Sequence, residues 1–330
     1  MPAVRSSDEM QNIQRTVKQS LRSGVKKGLS GFIWMLKILI PISFLTALLE
    51  YSGWLYKIDF LLKPGMNLLD LPPVAALPLI AGMLTGIYGC IAAMAMLPLT
   101  IVQMTLIANF VLISHNLIQE GVIQGKSGLN PVRATLLRLT ASIVTVTAIS
   151  FFIKPDSAAP APIGASVAVH PPMLIMLKSW FVAMLYLSFK IFVIIMVLMI
   201  ILETMKSFNL IPHLVKILTP LLKTMGLDQR VGILWLTATV FGVAYGGAVI
   251  VEEAKEGNLT ARELERLHFS IGINHSMVED PALFLPLGLS AFWLWVPRLI
   301  TAIMAVHLYD LYYKIKGMYQ SPKSVVSPKK

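Results

Sequence analysis

Apolar residues fill this chain in long blocks. Blocks over 31–50, 73–94, 95–114, 131–153, 173–203, 230–251 and 281–309 approach or exceed the roughly 20 residues that cross a bilayer as a helix. Lipid offers no partner to a bare amide or carbonyl, so such blocks must be helices. Ahead of the first block, Met10, Ile13, Val17, Leu21 and Val25 recur at steps of three or four. That spacing predicts an amphipathic helix over 8–30 lying in the membrane interface, with a partner-binding helix as the rival reading. Residues 55–71 and 208–226 are too polar to cross and too apolar for water, and predict interfacial helices ended by turns. Residues 252–274 are polar at first, then read Thr260-Ala261-Arg262-Glu263, a capping box that predicts a helix against water or protein.

Composition agrees with this pattern. Hydrophobic residues make up 56% of the chain and charged residues 14%, against about 25% charged in soluble domains; mean hydropathy is +0.72. The fold class expected is an all-α polytopic membrane protein. The net charge of +11 sits largely outside the blocks. Arg5, Arg15, Lys18, Arg22, Lys26 and Lys27 precede the first, and Lys314, Lys316, Lys323, Lys329 and Lys330 follow the last. Basic ends predict cytoplasmic termini in a bacterial cytoplasmic membrane, attracted to anionic headgroups, and leave nucleic acid unneeded as an explanation. Seven crossings would put the ends on opposite faces, so one block is expected to be re-entrant or one crossing missed.

The second half repeats the first. Pro64 and Pro220, Leu71 and Leu227, and Gly86 and Gly242 each lie 156 positions apart. Further on the spacing becomes 160, which aligns His115-x-x-x-Gln119-Glu120 with His275-x-x-x-Glu279-Asp280 and Arg138 with Arg298. Two half-units with polar residues at matching places are a common transporter construction. The expected division is 1–30 as a basic amphipathic segment, 31–153 as a first unit, and 154–172 as an Ala/Pro linker. A second unit over 173–310 and a basic tail over 311–330 follow, with the units related by inversion.

Candidate chemistry falls at the repeated positions. Gly86, Tyr88 and Gly89, and Gly242, Tyr245, Gly246 and Gly247, interrupt apolar blocks. Such breaks predict discontinuous helices whose freed backbone holds an ion or solute, or else close helix packing. Around Asn274, His275, Ser276, Glu279 and Asp280, helical spacing would put His275 and Glu279 on one face, fit to bind a cation or relay a proton. Asp280 ahead of Pro281 also reads as an N-cap. His115, Gln119 and Glu120 are the first-half counterparts. Arg138 and Arg298 either snorkel to headgroups or pair with those acids. Glu50 and Glu203 close long blocks and are candidates for the same path. His268, His275 and Glu279 could share a helix face as a zinc set, but no metalloprotease or nucleotide-binding motif accompanies them. No enzyme, cofactor or resident metal is expected.

The order of features has a family likeness. Leu48-Leu49-Glu50 closes an apolar helix; a leucine-rich turn ends Leu68-Leu69-Asp70-Leu71-Pro72; a glycine-broken helix follows. Ile201-Leu202-Glu203, Leu221-Leu222-Lys223 and the Gly242–Gly247 break repeat that order. Over about 30–310 this resembles two units of the nucleoside recognition (Gate) family, which includes spore maturation membrane proteins and the membrane part of ferrous-iron transporter B. The resemblance implies a plasma-membrane protein and, for some members, transport. It does not imply a substrate, and Cys90 alone cannot line a thiol path for iron. The function expected is secondary transport of a small polar solute, nucleoside-like or ionic, with proton or cation coupling. Alternatives are a non-transporting assembly or signalling protein acting through a homo-oligomer or a second membrane protein, and an intramembrane metal-dependent enzyme.

Overall fold

A computed structural model describes residues 2–57, 59–153, 172–227, 229–256 and 259–316. Nearly all of the expected linker over 154–172 and most of the basic tail lie outside them. Among the described residues there is no β-strand. The helices are α1 (Pro2–Tyr51), α2 (Trp54–Lys57), α3 (Asp59–Asn67), α4 (Ala76–Thr85), α5 (Ile87–Met94), α6 (Ile101–Ser114) and α7 (Leu117–Lys126). They continue as α8 (Pro131–Ser150), α9 (Met173–Ser207), α10 (Ile211–Thr224), α11 (Gln229–Lys255), α12 (Ala261–Asn274), α13 (Glu279–Phe284) and α14 (Ala291–Ile315).

Among the described residues, five stretches are long and apolar enough to cross a membrane: Gln11–Tyr51, Ile101–Lys126, Pro131–Ser150, Met173–Ser207 and Ala291–Ile315. The chain is thus a multi-pass all-α membrane protein. Its boundaries depart from the sequence pattern in three places. The amphipathic stretch over 8–30 is not a separate interfacial helix but runs unbroken into the first span as α1. Its small residues face α9: Ser20 is buried, and a Cβ on Gly24 would lie 2.7 Å from the Ile200 Cα. Close backbone approach is how helices associate where lipid cancels the hydrophobic drive. The apolar stripe of Ile13, Val17, Leu21 and Val25 points outward instead. Lys27 Nζ meets Glu203 Oε1 at 2.7 Å, which ties α1 to α9 at one level.

The blocks 73–94 and 230–251 do not cross as straight helices. Gly86 has φ 87° and ψ −173°, and Gly242 has φ 84° and ψ 164°, a region open essentially to glycine alone. Beyond each break the chain folds back. A Cβ on Gly89 would lie 3.2 Å from the Ala81 carbonyl oxygen, and one on Gly246 would lie 2.5 Å from the Ala238 Cα. Residues eight apart in a straight helix stand about 12 Å apart along its axis, so both blocks are re-entrant hairpins with glycine tips. The third departure is 281–309, where the last long helix begins only at Ala291, after α13 and a short 3₁₀ turn.

Left-handed backbone recurs at matched positions. Among the described residues, those with positive φ form five pairs: Gly53 with Asn209, Asp70 with Gly226, Gly86 with Gly242, Asn116 with Ser276, and Gly128 with Gly288. The first three are 156 apart and the last two 160. The capping box of Thr260 and Glu263 forms as expected, and Thr100 makes the same box with Gln103.

Candidate functional site

Two further breaks face the hairpin tips. α6 ends where His115 turns extended (φ −69°, ψ 158°), Asn116 is left-handed, and α7 starts. α12 ends in the same way at His275 (φ −80°, ψ 165°), followed by left-handed Ser276 and then α13. Each break rests on the hairpin of its own half. The Asn116 amide donates to the Gly82 carbonyl at 3.2 Å, and the Ser276 amide donates to the Ala238 carbonyl at 3.2 Å. A Cβ on Gly86 would strike the Asn116 side chain, and one on Gly242 would strike the Ser276 hydroxyl.

Ending a helix inside a span strands its last carbonyls, and in lipid each needs a donor. Arg138 on α8 supplies two: Nε donates to the Ile113 carbonyl at 2.7 Å and Nη2 to the His115 carbonyl at 2.6 Å. Arg298 on α14 repeats the clamp on the carbonyls of Ile273, at 2.5 Å, and His275. Both guanidinia are fully buried, so the headgroup reading of these arginines fails. A cation is also well placed at a helix C-terminus, and the acids Glu120 and Asp280 sit in the first turns of α7 and α13, where the dipole favours anions.

The two breaks meet through their side chains. His115 Nδ1 lies 3.0 Å from the Val111 carbonyl and His275 Nδ1 lies 2.8 Å from that of Ile271. A carbonyl only accepts, so these bonds assign the ring proton to Nδ1 in both and leave both Nε2 atoms facing inward. The Nε2 atoms stand 3.3 Å apart. Glu120 brings Oε1 to 3.1 Å from His115 Nε2 and Oε2 to 3.1 Å from His275 Nε2; Asp280 Oδ2 lies 3.3 Å from His115 Nε2. Arg138 Nη1 pairs with Glu120 Oε2 at 2.9 Å. Imidazole lone pairs and carboxylate oxygens repel at this range, so a proton or another cation belongs between them. The Glu120–His275 and Asp280–His115 contacts each join one half of the chain to the other. So does the bond from the Tyr88 hydroxyl to Glu279 Oε1 at 3.2 Å.

Several sequence expectations need correcting. His275 and Glu279 do not share a helix face, because the chain is extended at His275 and left-handed at Ser276. Asp280 is not an N-cap: Val278 caps α13 without a side-chain bond, and Asp280 reaches into the cluster. The His268, His275 and Glu279 zinc set is not assembled, since His268 Nε2 engages the Ser127 carbonyl at 3.0 Å and Glu279 turns to Tyr88. Glu203 bonds Lys27 and Ser23, and Glu50 sits in the last turn of α1, next to its final residue Tyr51. Gln119 is exposed, Gly247 packs against Ile123, and Tyr245 falls on the α11 backbone beyond its kink. Asn274 is fully buried, and neither of its amide atoms has a hydrogen-bond partner. Asn116 was missed; its signal was its place after His115, matching Ser276 after His275. A cavity of about 570 Å³ between α8, α12 and α14, lined among others by Leu137, Phe269, Met304 and Tyr312, contains none of the cluster residues.

These features define a class: a polytopic all-α membrane protein with interrupted helices around buried charge. Residues 32–155 match the Gate family, described as nucleoside recognition. It is also 25% identical over 303 residues to the uncharacterized membrane protein YvoD of Bacillus subtilis (strain 168), covering 87% of this chain and 93% of that protein. No solved structure matches it. The expected likeness to the Gate family thus holds in the first half.

Proposed function

We propose that the protein is a secondary transporter whose binding and coupling centre is the cluster of His115, Glu120, His275 and Asp280. The observation that carries this reading is the meeting of four chain breaks, at Gly86, Asn116, Gly242 and Ser276, around charged side chains in the fold interior. Buried ionisable groups in a membrane protein are costly and mark ion or solute paths. Broken helices at a repeat interface are where transporters hold their cargo. The contacts that close the cluster join the two halves, so separating the halves opens it, as alternating access requires. With α12 counted as the counterpart of α6, each half crosses three times. An odd number inverts the second half and returns both ends to one face, and the basic termini favour the cytoplasmic one.

The test is gradient-driven uptake into proteoliposomes by the wild type and by Asp280→Asn, over nucleosides, small carboxylates and divalent cations. Uptake that responds to a proton or sodium gradient and is lost in the variant supports the reading. No uptake of any solute, with the protein correctly folded, moves the function to assembly or signalling through a partner.

A further inference from the structure

We propose that the cluster is a binding site for a single divalent transition-metal ion, ligated by Nε2 of His115, Nε2 of His275 and a carboxylate oxygen of Asp280, with Glu120 as the fourth donor. The inference deepens the transport reading by naming the class of cargo, and it rests on that reading only for the word cargo; binding stands alone. The ligand atoms of His115, His275 and Asp280 all lie within 4.8 Å of one another, and all three residues are buried. A metal bonded to two imidazoles at about 2.0–2.1 Å in a tetrahedral site holds the nitrogens about 3.3 Å apart. The two Nε2 atoms stand 3.3 Å apart. The contact from His115 to Asp280, at 3.3 Å, fits another edge of that tetrahedron, and Glu120 stands 3.1 Å from each histidine through a different oxygen, close enough to supply one donor.

Two observations independent of these distances point to a ligand. Each histidine spends its other ring nitrogen on a backbone carbonyl, four residues upstream in both halves. That is the supporting bond that orients metal-binding imidazoles and leaves Nε2 free to ligate. Asp280 is buried, and its Oδ2, the oxygen turned to His115, has no hydrogen-bond donor. Arg138 neutralises Glu120, so Asp280 and two imidazoles form the primary set. Mixed nitrogen and oxygen donors without thiolate suit zinc, cobalt, ferrous iron or manganese over copper(I), which prefers sulfur.

The experiment uses the full-length protein purified in detergent and loaded with Co²⁺, then separately with Zn²⁺. Visible absorption reports the cobalt geometry and elemental analysis the zinc content. The expected result is about one metal per chain, with intense tetrahedral cobalt bands, both lost in His275→Ala and in Asp280→Asn. His268→Ala, which removes a histidine that does not reach the cluster, should bind as the wild type does. Size-exclusion profiles and thermal midpoints establish that each variant is folded. Binding below about a tenth of an equivalent, or binding that survives in both His275→Ala and Asp280→Asn, overturns the site. Metal bound without metal transport would sink the cargo role and leave the site. Gradient-driven uptake of an organic solute by a protein that binds no metal would overturn both the site and the metal cargo and leave the transport reading standing.

Discussion

Arg138 gives the sharpest test of how the cluster is held. Replacing it with Gln removes the ion pair to Glu120 at 2.9 Å and both donors to the α6 carbonyls. Deleting one partner of a buried pair costs about 3–5 kcal/mol, because a charge is left without compensation. A buried carbonyl left without a donor costs roughly 1–3 kcal/mol more, less whatever the glutamine amide recovers. The expected loss for Arg138→Gln is therefore about 4–7 kcal/mol. Adding Glu120→Gln removes the orphaned charge, so the double variant should regain about half of that loss. Cys90 is the sole thiol of the chain and is fully buried, so a thiol-reactive fluorophore reports unfolding directly. At roughly 2–4 °C per kcal/mol for a chain somewhat smaller than this one, Arg138→Gln should lower the apparent midpoint by about 10 °C or more. The double variant should recover several degrees. A double variant no more stable than Arg138→Gln would refute the reasoning, since it would place the whole cost in the carbonyl clamp and none in the pair.

Other predictions follow from particular contacts. Gly86→Ala and Gly242→Ala each force a side chain into a backbone region that only glycine enters readily, at about 1–3 kcal/mol. The same thermal assay should show both less stable than Gly31→Ala, whose added Cβ meets nothing within 4 Å. Lys27→Ala removes a bridge from a half-exposed lysine to Glu203 and should shift stability by less than about 1 kcal/mol. Gly24→Leu, which drives a side chain into the Ile200 backbone, should cost clearly more in the same assay. Tyr88→Phe removes one bond between the halves and should cost about 0.5–1.5 kcal/mol. If Glu279 lies on the transport path, the same variant slows uptake while leaving metal content unchanged.

Class and spans were legible because they rest on block length and composition, which survive any tertiary arrangement. The residues that gather into the buried cluster stood out because matching residues recurred 156 and 160 apart. What could not be read was direction. Helical spacing put His275 over Glu279, yet one left-handed residue, Ser276, turns the chain so that Asp280 reaches the cluster and Glu279 reaches Tyr88. Periodicity assumes an unbroken helix, and the residues that matter lie where the helix stops. The glycine breaks and one re-entrant block were expected; that 73–94 and 230–251 are both hairpins was not, because their composition is that of a span and only the backbone angles of Gly86 and Gly242 reverse the chain.

The arginines complete the account. Arg138 and Arg298 read as headgroup anchors or acid partners because a buried cation needs an anion or water. The structure satisfies them chiefly with carbonyls that the breaks at His115 and His275 set free. Break and arginine are thus one device: the break supplies acceptors at membrane depth, and the guanidinium makes the break tolerable. That device appears twice with matched hydrogen bonds, but its outer ends differ. Neither Nη1 makes a hydrogen bond, but Arg138 Nη1 lies 2.9 Å from Glu120 Oε2 as an ion pair, while among the described residues Arg298 has no acid at ion-pair distance, the matching one being the shorter Asp280. The shorter side chain leaves its carboxylate oxygen bare beside His115. Lengthening it with Asp280→Glu should let the carboxylate reach Arg298 as Glu120 reaches Arg138, weakening metal binding while holding or raising thermal stability. Tighter metal binding in that variant would mean that Asp280 is limited by reach rather than kept free by it.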